Sequence, residues 1–307
     1  MRISLSMSEK SPSSGRSASV LCAGSAFMTF HYRHRCATVA PPSIAVRNRP
    51  CQYCRSAIPR ASTMHSIASR PRILVAALAL ALAFAALRLV GTQGPASLRP
   101  LLPACFLLMA ATPWLLLDAA GRRRIGLVRS AAGCWYGWAL AGGMLAALLC
   151  FAVGLALFGI GHGNWYVTIG RSYAGMMDTS AFSPLMLHLV FTLPALVFSP
   201  VGEEIFFRGV LQDALEQRMS AHKATALECA LFAVVHLCHH GVVRTATGLE
   251  WMPLSATLWM LLMFCTAWLF ATLRRRSGSL YPAIAAHMAF NGVMNGAIFG
   301  VLWPVPV

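Results

Sequence analysis

Seven apolar stretches follow one another between residues 73 and 303, roughly at 73–90, 101–120, 131–160, 185–212, 225–239, 254–273 and 280–303. A bilayer core about 30 Å thick is crossed by about 20 helical residues, so this spacing constrains the chain to a helical membrane bundle. The segment 160–183 has room for a re-entrant or interfacial helix, which would raise the helix count to eight. The expected fold class is all-α, a polytopic transmembrane bundle of about seven spans. Composition agrees: the chain is 57% hydrophobic and 11% charged, against about a quarter charged in soluble domains.

The net charge of +16 could suit a polyanion, but the basic residues flank the apolar stretches and so argue against nucleic acid as a partner. Arg70, Arg72, Arg122, Arg123, Arg124, Arg129, Arg218, Lys223, Arg274, Arg275 and Arg276 lie at one set of span ends. The other set carries Arg99, Arg171 and Arg244, a bias of 11 to 3. Basic loop ends stay in the cytoplasm. This predicts a multi-pass membrane protein with a cytoplasmic N-terminus, and the ratio of 23 Arg to 2 Lys with heavy Ala and Leu usage suggests a bacterial plasma membrane.

Residues 1–69 hold nine of the 25 basic residues and a single acid, Glu9, with no sustained periodicity. They read as a disordered basic tail: sequence upstream of a true start at Met64, a targeting segment, or a cytosolic extension. Residues 70–183 are expected to form N-terminal spans and 184–303 a catalytic membrane core. The lone Cys51-Gln52-Tyr53-Cys54 pair has no second pair at zinc-finger spacing. Cys105, Cys134, Cys150, Cys229, Cys238 and Cys265 fall in or near the spans and read as small hydrophobes.

Ionisable groups at membrane depth are costly and mark functional sites. Here the fourth span carries Glu203 and Glu204 side by side, with Arg208 one turn on. The fifth carries Phe232-x-x-x-His236 and the seventh His287-x-x-x-Asn291, preceded by Ser277-Gly278-Ser279-Leu280. Residues four apart share a helix face, which pairs Glu204 with Arg208 and aims His287 and Asn291 the same way. At about 1.5 Å per residue, Glu203, His236 and His287 lie at comparable depths from the basic ends. One polar pocket on the cytoplasmic side of the midplane is expected to hold them. Phe232 reads as packing. His239 and His240 read as lying at the outer interface, and Trp259, Met260, Met263, Phe264 and Trp268 as lipid-facing or core-filling.

The ordered set EExxxR, FxxxH and HxxxN resembles the CAAX protease and bacteriocin-processing family, over about residues 185–299. That family includes CAAX prenyl endoproteases of type II and lysostaphin-resistance-like proteins. The resemblance implies an intramembrane endopeptidase cleaving near the cytoplasmic face. Its substrate would be a CAAX-type C-terminus, lipidated, or a secreted, bacteriocin-like peptide. Glu203 would be the general base and His236 would share the water, with His287 and Asn291 stabilising the oxyanion. Glu204 and Arg208 would form a buried pair that supports Glu203. No cofactor is expected; the alternative is a zinc site built from Glu203, His236 and His287. A competing function is a non-enzymatic scaffold, sensor or transporter with a buried proton-relay pocket.

Overall fold

The computed structural model describes residues 70–245 and 248–305. The expectations for residues 1–69, including the start at Met64 and the Cys51–Cys54 pair, lie outside the described residues.

Apolar runs become helices because no backbone polar group can be left unpaired in hydrocarbon. The helices are α1 (Arg70–Gln93), α2 (Leu101–Leu116), α3 (Ala119–Arg124), α4 (Cys134–Phe158), α5 (Trp165–Ala174), α6 (Pro184–Glu203), α7 (Gln212–Glu216), α8 (Ala221–Val235), α9 (Pro253–Ser277) and α10 (Tyr281–Ala297). Among the described residues, six continuous helical stretches are long and apolar enough to cross a membrane, and the shorter α2 is a seventh apolar helix. This matches the polytopic bundle read from the sequence. The segment expected to hide an extra helix does so in α5. Its Trp165, Tyr166 and Val167 are buried in the bundle and not laid on its surface.

Local signals set the helix ends. Ser183 caps α6 by accepting from Met186 N at 3.3 Å, and Pro184 fills the first helical position. Asn164 caps α5 through Tyr166 N at 2.9 Å. α9 ends on Arg274, Arg275 and Arg276 and then Gly278 at φ 67°, a left-handed stop that favours glycine. Between α6 and α7 the chain stays helical but widens into π-helical turns over Glu204–Leu211. A strand pair, β1 (Val242–Thr245) and β2 (Gly248–Trp251), forms an antiparallel hairpin between α8 and α9.

Backbone and side-chain contacts fasten the two ends of the bundle separately. At the basic end, Leu280 N donates to Gly126 O at 2.9 Å and Ser279 Oγ to Val128 O at 2.6 Å. There Arg124 also grips Asp213 at 2.7 Å, and Arg275 donates to Thr225 Oγ1 at 2.9 Å. At the opposite end, Gln93 Nε2 donates to Cys238 O at 2.9 Å and Tyr173 OH to Asn295 Oδ1 at 3.1 Å. Between them, small residues let helices touch backbone to backbone. A Cβ on Gly143 of α4 would overlap the Ala286 carbonyl of α10, and one on Gly202 of α6 would overlap the Phe106 carbonyl of α2. These crossings fix α2, α4 and α10 around α6, the helix that carries the glutamates.

Candidate functional site

Consecutive helical residues point about 100° apart, since an α-helix has about 3.6 residues per turn. Glu203 and Glu204 therefore face different neighbours, and each finds its own histidine. Both are fully buried.

Glu203 Oε1 accepts from Arg88 Nη1 at 2.8 Å and from Ser199 Oγ at 2.9 Å. Its Oε2 has no hydrogen-bond partner among the described residues and lies 3.8 Å from His236 Nε2. The His236 ring is fixed from behind, because its Nδ1 lies 2.8 Å from Phe232 O. A carbonyl only accepts, so Nδ1 carries a proton, and in the neutral ring Nε2 presents a lone pair. Two acceptors thus face each other across 3.8 Å, and a single water can donate a proton to each.

Glu204 Oε1 lies 2.8 Å from His287 Nδ1 and 3.2 Å from Arg208 Nη1. The fully buried Arg208 also approaches Glu228 Oε1 at 3.5 Å through Nε. Its guanidinium stands 3.9 Å from the centre of the Phe232 ring, a cation–π contact. Phe232 separates the two carboxylate–histidine pairs, with His236 at 4.3 Å and His287 at 6.2 Å between ring centroids. The ring is the packing element the sequence implied, placed at the centre of the site.

Asn291 donates from Nδ2 to Ala195 O at 2.9 Å, tying α10 to α6. One proton of that amide is thereby used and the second is left for another acceptor. His236, His287 and Asn291 all line one cavity of about 570 Å³. Its other walls are mostly apolar, from Phe106, Phe191, Phe198, Trp259, Met263 and Phe270.

Several sequence expectations need correction. His239 is not set apart at an outer interface: its Nε2 lies 2.9 Å from Arg88 Nη2 and it lines the cavity. His240 is buried between Thr168 and Ser255, 2.9 Å from each. Burial among these neighbours pushes its pKa down to about 4. Trp259 and Met263 form cavity wall and not only filling. Glu203 is held by Arg88 and Ser199 and not by the Glu204–Arg208 pair, which instead orients His287. Sequence reasoning missed Arg88 and Glu228. Arg88 stands near the end of its span, where a basic residue ordinarily snorkels to the interface.

Thr92, Arg99, Ser172 and Met176, from the end opposite the basic loops, also line the cavity. Among the described residues, no three His, Cys, Asp or Glu side chains come together as a metal-binding group.

No curated protein and no solved structure matches the chain. A family model does match, over residues 183–293, and its description is type II CAAX prenyl endopeptidase Rce1-like. The matched stretch contains both glutamates, Arg208, Glu228, His236, His287 and Asn291, and therefore most of the site just described. Residues 183–293 of this multi-pass membrane protein are thus a domain of the Rce1-like CAAX protease family.

Proposed function

We propose that this protein is an intramembrane endopeptidase in which Glu203 and His236 activate a water against a peptide bond held in the apolar cavity. The observation that carries the reading is the facing pair Glu203 Oε2 and His236 Nε2, both oriented by their other atoms. Arg88 and Ser199 hold Oε1, which leaves Oε2 to take the proton of the attacking water. The water oxygen bonds to the carbonyl carbon, the carbonyl π electrons move to oxygen, and the C–N bond then breaks. The proton taken by Glu203 passes by way of His236 to the departing amine.

The oxyanion is met from the α10 side. Asn291 has one amide proton to offer. His287 donates from Nδ1 to Glu204, so its Nε2 can donate only when the ring is an imidazolium. Glu204 Oε1 lies against Nδ1 of that ring at 2.8 Å, and Arg208 Nη1 stands 3.2 Å from the same oxygen. Glu204 and Arg208 act through His287 and are positioning residues.

Substrates in this reading are peptides or proteins with an apolar segment at the cleavage site, lipid-modified or not, and the bilayer is the other partner. The test is a purified preparation in detergent or nanodiscs given a panel of apolar peptides, with products read by mass spectrometry. Cleavage by the parent and its loss in Glu203→Gln and His236→Ala, at unchanged thermal stability of Glu203→Gln, supports the reading. Equal cleavage by parent and variants sinks it.

A further inference from the structure

Arg208 stands between two buried carboxylates and closes on neither. Its Nη1 lies 3.2 Å from Glu204 Oε1 and its Nε 3.5 Å from Glu228 Oε1, with all three side chains fully buried. Among the described residues, Nε, Nη1 and Nη2 of Arg208 complete no hydrogen bond, and neither do Glu204 Oε2 and Glu228 Oε1. A guanidinium beside a single carboxylate favours the bidentate pair, with two parallel N–H···O bonds. Glu204 has a second oxygen to offer, yet that pair stays open. The counterweight is Glu228 of α8, on the Nε side of the guanidinium. Glu228 Oε2 accepts from Cys229 Sγ at 3.4 Å, and a thiol is a weak donor. Glu204 alone would pair Arg208, and a further buried carboxylate is costly, so Glu228 calls for a use.

Glu204 Oε1 is also the oxygen that lies 2.8 Å from His287 Nδ1. Closure of Arg208 onto Glu204 would turn the carboxylate toward the guanidinium and away from the ring. We propose that Glu228 is a positioning residue for peptide cleavage: it draws Arg208 off Glu204, so that Glu204 Oε1 stays with His287 and the ring stays aimed at the oxyanion. The role in cleavage rests on the endopeptidase reading above; the hold on Arg208 and His287 rests on these contacts alone.

The test uses the full chain in nanodiscs with an apolar peptide from the panel. Glu228→Gln removes the charge and keeps the volume. Its kcat should fall about tenfold at unchanged KM, below the about 10²–10³-fold cost of losing an oxyanion donor outright. Glu228→Asp, which keeps the charge, should fall between the two. The ¹⁵N resonances of His287, assigned against His287→Gln, should show a fixed Nδ1–H in the parent and exchange between Nδ1–H and Nε2–H rings in Glu228→Gln. A parent kcat in Glu228→Gln, or a lower kcat with His287 resonances unchanged, would overturn the proposal. So would a loss confined to yield and melting temperature, which marks a residue of the fold alone. Glu228→Asp carries the same readouts should Glu228→Gln fail to accumulate, and failure of both to accumulate overturns the proposal too. Altered His287 resonances together with no cleavage by any form would uphold the hold on His287 and remove the endopeptidase reading instead.

Discussion

The Arg88 guanidinium lies 2.8 Å from Glu203 Oε1, so the first span, not the span that bears the glutamates, supplies the cation for the central carboxylate. Removing one partner of a buried ion pair leaves an unpaired charge and costs about 3–5 kcal/mol. Arg88→Met should therefore lower thermal stability in detergent by about that amount. The double variant Arg88→Met/Glu203→Gln should recover most of it while remaining without turnover. Differential scanning fluorimetry of the four forms measures the coupling.

Glu203 and Glu204 should part company in mutagenesis. Glu203→Gln keeps the shape and the contact to Arg88 but cannot take a proton, and should lose about 10²–10⁴-fold in turnover with the fold intact. Glu204→Ala strands Arg208, which is fully buried, and should first reduce stability and membrane yield. Parallel measurement of yield, melting temperature and rate separates the two. Similar behaviour of both variants in all three would contradict the division.

Backbone contact at α4 and α10 leaves no room for a side chain at Gly143, because the atom it would strike is the Ala286 carbonyl and not a movable side chain. Gly143→Ala should cost about 1–3 kcal/mol or more by overpacking. Gly133→Ala, where nothing lies near an added Cβ, is the control. Unfolding in denaturant should distinguish them clearly.

His240, beyond the end of its span, is neutral in the fold because burial lowers its pKa to about 4 from an ordinary value of about 6.5. The unfolded chain then binds more protons than the folded one between those values. Its contribution is complete above about pH 6.5 and is lost as pH falls toward 4. His240→Asn should flatten the decline in melting temperature between pH 7 and pH 4.5. An unchanged slope would show that His240 does not set it.

The sequence discloses the spans and the EExxxR, FxxxH and HxxxN residues for one physical reason: polar groups stand out against a 20-residue apolar run. Arg88 hides because an arginine near a span end is ordinary. Glu228 hides because α8 opens on the polar residues His222 and Lys223, which blur where the apolar run begins. The split between the two glutamates follows from helical phase, but their partners depend on how α1 and α10 dock. No spacing rule reports that docking. Residue counts from the basic end give depth and not which end is sealed. Sealing rests on tertiary contacts such as Leu280 to Gly126 and Ser279 to Val128.

The central claim is that Glu203 activates water for peptide-bond cleavage. Its most direct test is single-turnover digestion of an apolar peptide in ¹⁸O-labelled water by purified parent and Glu203→Gln protein of equal melting temperature. The account predicts one ¹⁸O atom in the new carboxyl terminus with the parent and no product with Glu203→Gln. Product formation at the parent rate by Glu203→Gln would contradict it.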